Sequence, residues 1–172
     1  LITGPTGSGK STTLYAALMT LYRPQIRVVT AEDPIEYVYE QFSQSEVDEH
    51  IGNTFASYLR AFLRHDPEVM MVGEIRDLET AEMALRAAMT GHLLLSTLHT
   101  SDAVSSVARL VDLRVEPTLI GASLIGVLAQ RLVRTICSNC RETYTPPREL
   151  LQEFFDRPPE TFQWYRGRGC EK

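Results

Sequence analysis

Hydrophobic residues recur along this chain at two alternating periods. After a glycine-rich opening, Leu14, Leu18 and Leu21 return at helical spacing, which predicts a helix from about Lys10 to Leu21, with Pro24 beyond its end. Arg27 to Ala31 is β-rich and bounded by Pro24 and Pro34, and reads as a strand. Tyr37 to Gly52 is polar and reads as a loop. Thr54 to Leu63 predicts a second helix with Phe55, Leu59, Phe62 and Leu63 inward, stopped before Pro67. Val69 to Val72 is short and wholly apolar, as expected of a parallel strand covered on both faces. Asp77 is placed to cap a helix from Leu78 to Met89, and Gly91 to end it. Leu93 to Thr97 is the next buried strand. Ser101 or Asp102 caps a helix to about Val111, and Thr118 to Ala129 follows Pro117 as a further helix. Short apolar strands alternating with amphipathic helices predict an α/β fold with a largely parallel sheet flanked by helices. Right-handed crossovers then bring the loops that follow the strands to one edge.

From Cys137 onward proline, arginine and aromatic residues rise and apolar periodicity weakens. This divides the chain into a core over 1–134 and a small cysteine-bearing module over 135–172. The length of 172 residues is sufficient for one sizeable core, and 44% hydrophobic residues is ordinary for a globular chain. No apolar run approaches the length that spans a bilayer, and no signal peptide opens the chain. The net charge of −5 argues against a polyanion as main partner, so no nucleic acid is expected. Three cysteines do not make a disulfide scaffold, and the Cys137-x-x-Cys140 spacing points to metal first. Only Leu1, Ile2 and Thr3 precede the glycine-rich loop, and the chain stops two residues after Cys170. Both ends read as abrupt, and the chain is expected to be a piece of a longer protein.

Four stretches carry chemistry, each at the end of an expected strand. Gly4-Pro5-Thr6-Gly7-Ser8-Gly9-Lys10-Ser11-Thr12 fits G-x-x-x-x-G-K-[ST]. Its glycines let backbone N–H groups turn inward around phosphate oxygens, and the following helix aims its positive end at them. Lys10 reaches the β/γ-phosphates and the Ser11 hydroxyl suits Mg²⁺. Glu32, Asp33 and Glu36 leave the next strand within five positions, where carboxylates can hold a metal's waters or order an attacking water. Val69 to Val72 runs into Gly73-Glu74, so the position where an aspartate usually supports the metal is glycine. Metal support then falls to Glu32 or Glu36, and Glu74 is left as the general base. An ion pair with Arg76 is the structural reading of the same carboxylate. His99 follows a buried strand with Thr97 and Thr100 beside it, where a ring can sense a γ-phosphate.

These stretches resemble the secretion ATPase superfamily that powers type II secretion and type IV pilus assembly. GPTGSGKSTTLYA resembles its Walker A motif, AEDPIEY its Asp box, LRHDPEVMMVGEIRD its atypical Walker B and GHLLLSTLHTSDA its His box. LAQRLVRTICSNC is similar to its lead into a four-cysteine zinc module. The resemblance covers nearly the whole chain and agrees in order and spacing. It implies a RecA-like P-loop ATPase core, working as a cytoplasmic homo-hexamer at the inner membrane with platform and adaptor proteins. It also implies phosphate binding by Gly7, Gly9 and Lys10, Mg²⁺ through Ser11 and Glu36, catalysis by Glu74 and a sensor role for His99. Cys137, Cys140 and Cys170 would hold Zn²⁺ with a fourth cysteine expected after Lys172. Gln44 to Glu49 is more acidic than the family's corresponding stretch. Retraction motors of the family lack the cysteine module, so an assembly or export motor is favoured. Two other readings remain open here: a RecA-like nucleic-acid motor, against which the charge stands, and a nucleotide-binding scaffold without turnover, against which Glu74 stands.

Overall fold

The computed structural model describes residues 1–157 and 161–171, which form two compact units, Leu1–Leu132 and Val133 onward. In the first, β1 (Ile2–Thr3), β2 (Val28–Glu32), β3 (Ser43–Glu46), β4 (Val69–Val72), β5 (Leu93–Leu98) and β6 (Leu128–Ala129) make one sheet in the order β3-β2-β4-β5-β1-β6. Every neighbouring pair is parallel. Helices α1 (Lys10–Leu21), α2 (Phe55–Phe62), α3 (Leu78–Met89), α4 (Ala103–Asp112) and α5 (Pro117–Ser123) connect or flank the strands.

The apolar strands are continuous because both faces are covered. Val28, Val69 and Met71 pack with Leu14, Tyr15 and Leu18 of α1 on one side. Val29, Ala31, Met70 and Val72 pack with Phe55, Leu59, Ala81 and Ala84 of α2 and α3 on the other. Adjacent residues of a strand point to opposite faces, so a run such as Val69–Val72 serves both clusters. The helix starts are set locally. Thr54 and Ser57 form a reciprocal cap on α2, Asp77 accepts from Thr80 N, and Asp102 accepts from Ser105 N. Of the two cap candidates for α4, Asp102 takes the position.

Two sequence expectations are corrected. Tyr37 to Gly52 is not a plain loop: it contains edge strand β3, paired from Val29↔Ser43 to Glu32↔Glu46, and a 3₁₀ turn, Glu49–Ile51, capped by Asp48. Strand β3 has no apolar alternation because it lies at the sheet's rim and buries no face of its own. The helix expected from Thr118 to Ala129 ends at Ser123. Beyond Gly126 the chain extends to pair with β1, with Leu128 N donating to Leu1 O at 2.9 Å and Gln130 N to Thr3 O at 2.8 Å. That pairing satisfies backbone groups on the side of β1 away from β5. Leu63, expected inward, packs against the same core from just beyond the end of α2 and is half-buried.

In the second unit β7 (Arg141–Tyr144) pairs antiparallel with β8 (Trp164–Gly167), with α6 (Arg148–Phe154) between them in sequence. The Arg141 guanidinium lies 3.5 Å from the centre of the Tyr165 ring across the hairpin. Among the described residues no helix is long and apolar enough to cross a membrane.

Candidate active site

A cavity of about 480 Å³ opens at the C-terminal ends of β1, β2, β4 and β5. One wall is the glycine-rich loop between β1 and α1. Gly7 and Gly9 take φ of +77° and +82°, which only glycine adopts readily, and bring Thr6, Gly7, Gly9, Lys10, Ser11 and Thr12 to the cavity. Among the described residues no side chain caps α1, and an anion suits the first amides of such a helix start. Lys10 Nζ donates to the carbonyls of Gly4 at 3.0 Å and Pro5 at 3.2 Å. Gly4, Pro5 and Ser8 belong to the predicted set but do not line the cavity. Gly4 packs against Gln130, Pro5 O accepts from Ser8 N, and Ser8 is 3% exposed.

The acids separate into different roles. Ser11 Oγ donates to Glu36 Oε1 at 3.0 Å, across the cavity from the loop. Glu32 is buried, and its carboxylate is taken up by the Tyr15 hydroxyl, by Thr30 Oγ1 at 2.5 Å and by Gln44 Nε2 at 3.0 Å. Burial and the Glu32 carboxylate hold the Tyr15 phenol well above its ordinary pKa, so it stays a donor. Of the two acids considered for metal support, Glu36 is the one beside Ser11.

Asp33 and Glu74 face each other through Arg76. The guanidinium lies 3.0 Å from Asp33 Oδ2 and 2.5 Å from Glu74 Oε1. The Glu74 hydrogen bond, aided by the charges of Glu74 and Asp33, secures the charged form of Arg76. Glu74 Oε2 lies 3.2 Å from His99 Nε2. The carboxylate therefore lines the cavity and pairs with Arg76 at once. His99 is not a core histidine: its side chain is 53% exposed and turned to the cavity. His92, at the other end of β5, instead caps the turn after α3. The strand ends are cross-tied. Thr97 Oγ1 donates to Gly73 O at 2.7 Å, and the Thr3 and Thr100 hydroxyls meet at 2.6 Å.

These donors fit a magnesium–nucleotide: hard oxygens at Ser11 and Glu36, the amides of a glycine-rich loop and helix start, and one lysine beside them. Sequence reasoning missed Tyr15 and Gln130 as parts of the site, and treated Arg76 only as an alternative partner of Glu74. Tyr15 lies in the helix after the loop, outside the signature residues, and Gln130 falls one residue past the helix expected over 118–129, where no motif marks it.

In the second unit the sulfur atoms of Cys137, Cys140 and Cys170 all lie within 4.8 Å of one another, with Cys137 Sγ and Cys170 Sγ 3.8 Å apart. A tetrahedral site with Zn–S bonds of ~2.3 Å has sulfur–sulfur edges of about 3.8 Å, so the donor set fits such an ion. A hydrogen bond from the Gly169 backbone favours the Cys140 thiolate, but burial and the neighbouring thiols outweigh it and raise the pKa.

The family model described as "Type II/IV secretion system protein" matches residues 1–172. The chain is 54% identical over 172 residues to the "Type II secretion system ATPase E" of Vibrio cholerae, covering all of this chain and 34% of that protein. It is 48% identical over 174 residues to the "Type IV pilus assembly ATPase PilB" of Thermus thermophilus, covering all of this chain and 20% of that protein. The crystal structure of the pilus retraction motor PilT with bound ADP superimposes with a TM-score of 0.69 at 45% identity, over 77% of this chain and 41% of that one. The chain thus spans about a third of the length of the curated type II secretion relatives it matches.

Proposed function

We propose that this chain, which belongs to the Type II/IV secretion system protein family, binds ATP with Mg²⁺ and hydrolyses it as the motor portion of a type II secretion or type IV pilus assembly machine. One observation carries the reading. The phosphate loop, Glu36, Glu74 and His99, far apart in sequence, line a single cavity at the strand ends of a parallel sheet. Lys10 and the loop amides would bind the phosphates, and Ser11 and Glu36 would hold the metal, the latter through water. A bound Mg²⁺ would draw charge from the phosphates as the bond to the leaving group weakens. Glu74 would accept the proton of the attacking water. Arg76 and His99 each engage one of its oxygens, which orients the carboxylate and leaves a second lone pair on each oxygen for a water. His99, one hydrogen bond from that base, would sense the γ-phosphate and report its loss.

The homologues' names support assembly with other secretion proteins. The whole protein is proposed to work as a homo-hexamer, peripheral to the inner membrane and attached through platform and adaptor proteins. The three thiols are proposed as ligands of a structural Zn²⁺, completed by a fourth cysteine. The test is ATP binding and steady-state phosphate release by the protein carrying these residues. Lys10→Ala should abolish both, because the polyphosphate loses its half-buried counter-charge. In the same assay His99→Ala should keep binding and slow turnover. Ordinary ATP affinity in Lys10→Ala would contradict the assignment of the loop.

A further inference from the structure

Gln130 lies one residue past β6, and its polar groups turn on the glycine-rich loop. Its Nε2 donates to Ser8 O at 2.7 Å, and its Oε1 accepts from Thr13 Oγ1 at 2.7 Å. Its backbone N donates to Thr3 O at 2.8 Å. Its backbone oxygen would lie 2.2 Å from a Cβ on Gly4, and its Nε2 3.0 Å from one on Gly9. The first and last glycines of the loop are thus closed in by the same residue. Gly4 also has a φ of +147°, so both the space and the backbone demand glycine there.

The loop has little else to fix its middle. The Ser8 backbone N–H closes on Pro5 O at 3.2 Å, while the buried Ser8 hydroxyl has no hydrogen-bond partner among the described residues. Gln130 bridges the Ser8 carbonyl to the first turn of α1 through Thr13, whose single hydroxyl proton is shared between Gln130 Oε1 at 2.7 Å and the more distant Gly9 O at 3.1 Å. With that carbonyl turned toward Gln130, the following amide is directed away from it, as the peptide plane requires. Neither Gln130 nor Thr13 lines the cavity, so any effect on a ligand passes through the loop.

We propose that Gln130 is a positioning residue of the nucleotide site: its side-chain amide staples the phosphate loop to α1 and sets the direction of the amides that receive phosphate. The inference rests on the reading of this cavity as a nucleotide site. The geometry requires an amide, since one end must donate and the other accept. Glutamate at the same position keeps the size but presents an acceptor to Ser8 O, turning the staple into a repulsion. The pairing of β6 with β1 is made by backbone groups and is unaffected by that change.

The experiment measures dissociation constants for ATP and ADP, and the melting temperature without nucleotide, in the parent protein, Gln130→Glu, Thr13→Val and the double variant. Gln130→Glu should weaken both nucleotides about tenfold or more, because a hydrogen bond is replaced by two facing acceptors. Its nucleotide-free melting temperature should match the parent's. The double variant should lose less than the sum of the single losses, since both remove the same bridge. If Gln130→Glu binds within about twofold of a parent that binds ATP, the inference is overturned while the nucleotide reading stands. A loss of affinity that tracks a lowered nucleotide-free melting temperature also overturns it, because Gln130 is then a folding residue. A parent that binds neither nucleotide overturns both.

Discussion

Asp102 caps α4 with both carboxylate oxygens: Oδ1 accepts from Ser105 N at 2.8 Å, and Oδ2 from the Ser105 and Ser101 hydroxyls at 2.6 and 3.0 Å. The Ser105 hydroxyl and backbone N–H, then the Ser101 hydroxyl, pull its pKa from 3.8 down to about 2. The folded value lies below the unfolded one, so the carboxylate's contribution is complete above pH ~4 and is lost as pH falls toward ~2. Asp102→Asn keeps a capping oxygen but cannot titrate. Thermal melting across that window should show a shallower acid limb in the variant than in the parent, and an equally steep limb would contradict the assignment. Such caps are legible in sequence because acceptor and donor lie three residues apart. The contacts that organise the site are not: Tyr15 meets Glu32 across 17 positions and Gln130 meets Ser8 across 122. Nothing in local periodicity marks either, although the signature residues Lys10, Ser11, Glu36, Glu74 and His99 were visible by motif.

At the scale of elements, α1, α3 and β4 begin and end where the hydrophobic pattern places them. The pattern works there because each buries a face or runs between two covered ones. It fails for β3, a polar strand at the rim, and for β6, whose two residues are fixed by β1. The cysteine spacing is legible too, but what brings Cys170 to Cys137 is the antiparallel return of β8 on β7. There Arg168 N donates to Cys140 O at 2.9 Å, tying the strand after the turn back to the first cysteine pair. Elemental analysis of a reductant-protected preparation of the protein should find one zinc per chain. Chelation should expose the three thiols to alkylation without weakening ATP binding, because thiols and nucleotide share no ligand. A preparation without zinc, or one whose ATP affinity falls with the metal, would contradict this.

At the scale of the molecule, parallel strands joined by crossovers gather four distant stretches at one edge. The strand ends are cross-tied by Thr97 on Gly73 and by Thr3 on Thr100, whose hydroxyl also meets Ser106 Oγ of α4 at 2.6 Å. A change at the phosphate loop therefore meets a continuous hydrogen-bonded path to the His99 segment and α4. The proposed function has this edge hydrolyse ATP with Glu74 as base. Its most direct test is Glu74→Gln in the protein carrying these residues, with ATP affinity and phosphate release measured on the same preparation. Glutamine can still pair with Arg76 and His99 but cannot take a proton from water. If Glu74 is the base, ATP affinity stays like the parent's and turnover falls by ~10²–10⁴-fold. Turnover within about twofold of the parent would contradict it, since general-base removal cannot be that mild.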